Sequence, residues 1–171
     1  MLRAILIGAP GSGKSTVGKA LSRELSTNFA DTDELIVARE GKSIPQIFNE
    51  HGEPGFRKIE AEVVISALSA DYGVLSLGGG SILLPEVREA ISKANTEVIF
   101  LRIGLGNVIP RISGKADRPL VADNPEAQWT KIFKEREPLY KSLATIEVST
   151  DNKKPSEVAR ELVERMGLPH A

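Results

Sequence analysis

The chain predicts an α/β fold, a mainly parallel sheet with helices on both faces. Three observations carry that expectation. Short β-type runs alternate with helical patterns from one end of the sequence to the other, as in successive βα units. The first run leads straight into Gly8-Ala9-Pro10-Gly11-Ser12-Gly13-Lys14-Ser15, which fits G-x-x-x-x-G-K-[ST] at every fixed position. The 171 residues are 41% hydrophobic and show no internal repeat, low-complexity tract or linker, so one domain with a sizeable core is expected.

Taken in order, residues 2–7 hold Leu, Ile, Leu and Ile and form the first strand, short and buried. Val17, Ala20, Leu21 and Leu25 then recur at helical spacing and mark a helix over 14–25. Further strands are expected at 28–31, 74–77, 98–102 and 145–149. Helices are expected at 33–40, 44–50, 56–70, 85–93, 106–112, 125–136 and 156–166. Pro85 and Pro125 suit a first helical turn, Gly167 a C-terminal stop, and Pro138 the end of the helix before it. Residues 41–70 make an insertion too long for a simple crossover, with Phe56, Ile59, Val63, Val64, Ala67 and Leu68 as one core face.

Composition narrows the function. Lys and Arg number 22 and Asp and Glu 23, so there is no basic footprint for a nucleic-acid partner. Cysteine is absent, and the two histidines, His51 and His170, lack metal-ligand spacing. Met1-Leu2-Arg3 puts a charge before an apolar run too short for a signal sequence, and no stretch approaches membrane-spanning length. A cytoplasmic enzyme is the expectation.

The glycine-rich loop points to its chemistry. Its glycines let the backbone turn tightly and bring N–H groups against a polyphosphate, and the helix behind it adds unpaired N–H groups and a positive dipole end. Lys14 places a point charge at the β- and γ-phosphates, and the Ser15 hydroxyl is a ligand for Mg²⁺. Ligands on such sheets bind beyond the carboxyl ends of the strands, so the residues there matter most. The second strand ends in Asp31-Thr32-Asp33: either Asp31 holds a Mg²⁺-bound water and Asp33 orients or deprotonates an acceptor hydroxyl, or Asp33 caps the next helix. Arg57 and Glu60, three apart, are either a surface ion pair or an arginine held ready to grip a carboxylate with both its N–H arms. Gly78-Gly79-Gly80 at the third strand's end signals a close approach by ligand or backbone, or a plain loop. No acid follows that strand, so Asp31 takes the metal role.

Residues 113–124 are polar and contain Arg118-Pro119-Leu120, which suits a mobile lid whose arginine swings onto a transferring phosphoryl group; a solvated loop charge is the alternative. Arg136 falls before Pro138, at the expected edge of the cleft. Trp129, Ile132 and Phe133 face the core. Asn152-Lys153-Lys154-Pro155 departs from the guanine-reading pattern Asn-Lys-x-Asp at its last position, which favours adenine, resting against Pro155 and Arg111.

Together GAPGSGKST, DTD, GKSIPQIFNEHGEPGFRKIE, LSLGGG, RPL and REPLY, in this order, resemble the shikimate kinases, small P-loop kinases of the nucleoside-monophosphate-kinase structural group. The resemblance covers nearly the whole chain. It implies a three-layer α/β/α architecture around five parallel strands in the order 2-3-1-4-5, with an acceptor-binding helical insertion near 31–60 and a lid near 113–124, in a monomer. It implies ATP- and Mg²⁺-dependent phosphorylation of the shikimate 3-hydroxyl, a step toward aromatic amino acids. Position by position, Gly11, Ser12, Gly13, Lys14, Ser15 and Thr16 would hold the nucleotide phosphates, with Ser15 and Asp31 serving the metal. Asp33, Arg57, Arg136, Gly79 and Gly80 would bind the acceptor, Arg118 would be the lid arginine, and Arg111 and Pro155 would flank adenine. The rival readings are gluconate or nucleoside-monophosphate phosphorylation on the same scaffold, or a nucleotide-binding regulatory module.

Overall fold

A computed structural model describes residues 1–112 and 124–168. Its centre is a sheet of β1 (Ala4–Ile7), β2 (Phe29–Asp31), β3 (Val74–Ser76), β4 (Glu97–Arg102) and β5 (Ile146–Ser149). The order is β2-β3-β1-β4-β5 and every neighbouring pair is parallel. This is the arrangement the family resemblance implied.

The central strands read as continuous apolar runs because both faces are covered. Alternate side chains of β1 feed different cores: Ile5 and Ile7 join one cluster, Ala4 and Leu6 the other. β4 divides likewise, with Val98 and Phe100 on one side and Ile99 and Leu101 on the other. The first cluster lies under α3 (Ile44–Leu68), α4 (Pro85–Lys93) and α6 (Pro125–Leu143), and the second under α1 (Lys14–Glu24) and α7 (Pro155–Arg165). The remaining helices are α2 (Thr32–Glu40) and α5 (Leu105–Ile112), and a 3-10 turn occupies Ser81–Leu83. No described helix is long and apolar enough to cross a membrane.

Three local expectations change. Asp31, not Asp33, caps α2: its carboxylate accepts the N–H of Asp33 at 2.8 Å and of Glu34 at 3.4 Å. Asp33 is thereby freed from capping and sits in the helix's first turn. The helices expected at 44–50 and 56–70 abut at Gly52, whose φ of 68° and ψ of 179° break the helix and start a new direction. Pro54 then falls at the entry of the second segment, where a missing N–H costs little. Pro138 does not end its helix; α6 runs on to Leu143. An interior proline costs about 3 kcal/mol, but stopping there would expose Tyr140, fully buried here, and the packed Leu139 and Leu143. Fully burying one large apolar side chain contributes about 1.5–3 kcal/mol, so Tyr140 together with the partly buried Leu139 and Leu143 offsets the proline. The lid expected at 113–124, with Arg118, lies outside the described residues except for Asn124, whose side chain accepts the Ala127 N–H at 3.4 Å and caps α6.

Candidate active site

The carboxyl ends of β1, β2 and β3 open into a cleft of about 670 Å³. Its nucleotide side is the loop between β1 and α1. Gly11 and Gly13 adopt φ of 80° and 91°, left-handed values that side-chain-bearing residues avoid. The loop's carbonyls are each engaged. Lys14 Nζ donates to the Gly8 and Ala9 oxygens, both at 3.0 Å. Trp129 Nε1 donates to the Pro10 oxygen at 2.9 Å, Arg111 to the Gly11 oxygen at 3.3 Å, and the Thr150 hydroxyl to the Ser12 oxygen at 3.1 Å. The Ser12 N–H closes the loop onto the Ala9 oxygen at 3.2 Å, and with the acceptors turned onto the protein the concave side of the loop suits an anion.

Ser15, in the first turn of α1, donates its hydroxyl to Asp31 at the end of β2. A hydroxyl and a carboxylate side by side are hard oxygen donors of the kind Mg²⁺ takes when substrate phosphates and water complete its shell. Loop amides, helix N-terminus, Lys14 and this oxygen pair therefore fit a magnesium-bound nucleoside triphosphate. Thr16 is exposed one residue further along α1. Arg111 and Pro155 are both exposed, at the last turn of α5 and the first of α7.

The other half of the cleft is charged and enclosed. Arg57 donates to Glu60 at 2.6 Å and to Glu53 at 3.4 Å, and its guanidinium lies 5.3 Å from the Phe56 ring centre. Glu60 is 1% exposed, so the pair is no surface bridge. Burial pushes the Glu60 carboxyl up from its ordinary value, with Arg57 the main opposing influence. Breaking such a buried pair by deleting one partner costs about 3–5 kcal/mol. Arg136, 4% exposed, enters the same cleft from α6.

The triple glycine makes this assembly possible. A Cβ on Gly78 would come within 2.7 Å of both Asp33 Oδ1 and Glu60 Oε2. One on Gly79 would lie 3.2 Å from the Gly8 oxygen and 3.4 Å from Arg136, and one on Gly80 would fall inside the Arg57 guanidinium. Asp33 therefore faces Gly78 beside Glu60. Burial first, then the charges of Asp31 and Glu60, push its carboxyl up to about 7 against the pull of Lys14 and Arg57.

Arg57, Arg136, Asp33, Asp31, Ser15 and Lys14 thus come together in one cleft with Gly79 and Gly80. Two contributors were missing from the sequence reading. Tyr140 is fully buried, stacks on Phe100 with ring centres 5.2 Å apart, and donates its hydroxyl to the Gly79 oxygen at 2.5 Å. Burial pushes its phenol up to about 12. It sits in the REPLY segment, and the expectation that Pro138 ends the helix hid its one-turn spacing from Arg136. Trp129 does face the core, but its indole N–H reaches the phosphate loop; the requirement that a buried indole find an acceptor was the only hint.

The comparisons with known proteins agree with this geometry. The family model described as shikimate kinase matches residues 10–167. The shikimate kinase of Mycobacterium avium is 45% identical over 165 residues, covering 96% of this chain and 93% of that protein. Among solved structures, the shikimate kinase from Acinetobacter baumannii in complex with shikimate superposes with a TM-score of 0.92 at 32% identity, covering 97% of this chain and 93% of that one. The Aquifex aeolicus shikimate kinase gives 0.83 at 36% identity, covering 97% and 96%. With the match spanning nearly its whole length, the chain belongs to the shikimate kinase family.

Proposed function

We propose that this chain, as a single cytoplasmic kinase domain acting as a monomer, transfers the γ-phosphoryl of ATP to the 3-hydroxyl of shikimate, releasing shikimate 3-phosphate and ADP. The enzymes of this family use ATP and Mg²⁺. The observation that carries the proposal is the approach of two arginines from separate helices, Arg57 on α3 and Arg136 on α6, to the same glycine turn beside Asp33. Two buried guanidinium groups fit an anionic carboxylate, and a carboxylate beside them fits a hydroxyl on the same small molecule.

Bound Mg·ATP supplies the phosphoryl group and most of the charge that must be stabilised. Phosphoryl transfer passes through a loose transition state, so the chain contributes chiefly position and charge. The loop from Gly11 to Thr16 cradles the phosphates, Lys14 leaves the Gly8 and Ala9 carbonyls for them, and Ser15 with Asp31 serves the metal. Arg57, braced by Glu60, and Arg136 anchor the acceptor carboxylate with Gly79 and Gly80 close beneath it. Asp33 accepts the acceptor hydroxyl's hydrogen bond and takes its proton as the oxygen attacks. Arg118, on the lid at about 113–124, neutralises the transferring group, and residues near 31–60 form the acceptor region. Arg111 and Pro155 flank adenine.

A coupled ADP-release assay with shikimate, gluconate and CMP offered separately tests this. Turnover with shikimate alone is expected. Turnover with gluconate or CMP instead would assign another acceptor, and silence with all three would favour a nucleotide-binding module.

A further inference from the structure

Trp129 is the sole tryptophan of the chain and is 3% exposed. Its ring stacks on Phe133, 4.9 Å between centres and 7° from parallel. Packing alone would account for an apolar ring there, but the indole N–H has a specific partner 119 residues away, the carbonyl of Pro10 in the phosphate loop. No peptide bond among the described residues is cis. In a trans peptide the C=O and the following N–H point in opposite directions. A donor that holds the Pro10 oxygen therefore also sets the direction of the Gly11 N–H, one of the amides proposed to meet the phosphates. Pro10 itself has no N–H, so the orientation of the 10–11 peptide is the polar contribution this residue makes to the loop. Arg111 and Thr150 hold the next two carbonyls, but Arg111 is exposed and long, and Thr150 shares its hydroxyl between Ser12 and Arg102. The indole is rigid, buried and committed to one acceptor.

We infer that Trp129 is a positioning residue for nucleotide binding: from α6 it fixes the Pro10–Gly11 peptide so that the Gly11 amide faces the phosphates. The inference rests on the phosphate-loop reading above. It assigns to α6 a second task besides presenting Arg136 and Tyr140 to the acceptor side, and the two tasks are separable because their residues lie in different turns of the helix.

Two variants test it in the full-length chain. Trp129→Phe keeps an aromatic ring against Phe133 and removes the donor. Replacing Trp129 with 3-benzothienylalanine, practicable because the chain has one tryptophan, keeps the bicyclic shape and removes only the N–H. Both are expected to weaken Mg·ADP binding and raise the KM for ATP about threefold to tenfold, the range of one neutral hydrogen bond. Shikimate affinity and kcat at saturating ATP should stay within about twofold. If the benzothienyl protein binds Mg·ADP as tightly as the parent, Trp129 is packing alone and the inference is overturned; should the phenylalanine variant fold poorly, the isostere still decides. A parent chain that does not bind Mg·ADP at all would instead overturn the phosphate-loop reading.

Discussion

Asp33 and Glu60 crowd the same side of Gly78, with Asp31 two residues away, so three carboxyl groups share a small enclosed volume with Arg57 and Lys14. Such an arrangement is costly for the ligand-free fold and useful for binding a cationic and hydroxylic load. Asp33→Asn is expected to cut kcat by at least about a hundredfold, the scale of a lost general base, while Mg·ADP affinity is retained. The same change should raise the melting temperature of the ligand-free protein, since it removes like-charge repulsion at a functional site; calorimetry beside the kinetic assay checks both. Arg57→Lys keeps a charge but loses the planar fork, so the KM for shikimate should rise about tenfold to a hundredfold with little change in the KM for ATP. Tyr140 gives a pH signature. An unfolded tyrosine ionises near 10, whereas the buried Tyr140 holds its proton to about 12. Between those values the folded state binds the extra proton, so this group's contribution to stability is whole below pH 10 and is lost as pH rises through 12. Tyrosinate absorbance of the folded protein should therefore show a late step that Tyr140→Phe abolishes.

The turn after β3 and helix α6 act as units. Gly78 to Gly80 were legible as a place of close approach, but not as the seat of four different charged side chains, because those arrive from α2, α3 and α6. Gly80 has ordinary φ and ψ of −96° and −2°, so an alanine there is not strained in its backbone. Its Cβ would nevertheless occupy the space of the Arg57 guanidinium. Gly80→Ala is thus expected to raise the KM for shikimate at least about tenfold, in the range of a displaced charge-assisted hydrogen bond, and to leave Mg·ADP binding within twofold. Normal shikimate kinetics in that variant would remove Arg57 from the acceptor site. In α6, a proline that reads locally as a stop is overridden by the burial of Tyr140 two residues later. Arg136, expected at the edge of the cleft, lies instead in its wall and is 4% exposed.

At the scale of the molecule, the phosphate loop is tied through its carbonyls to α1, α5, α6 and the end of β5, so nucleotide binding should stabilise the whole fold. Mg·ADP at a hundred times its dissociation constant is worth about 2.7 kcal/mol, or roughly 5–10 °C in melting temperature for a chain of this size. Chelating Mg²⁺ should take back much of that rise, and an unchanged melting temperature would speak against the nucleotide site. The phosphate loop, the βα alternation and most element positions were decided by the sequence alone, because hydrophobic period and turn chemistry act between near neighbours. The resemblance added the strand order and the residue roles. Only the tertiary structure decided that Asp31 rather than Asp33 caps α2, that Glu60 is buried under Arg57, and that Trp129 and Tyr140 reach backbone carbonyls 119 and 61 residues away. Those outcomes depend on which surfaces meet when the layers pack, and a local pattern carries no record of a partner that distant in the chain.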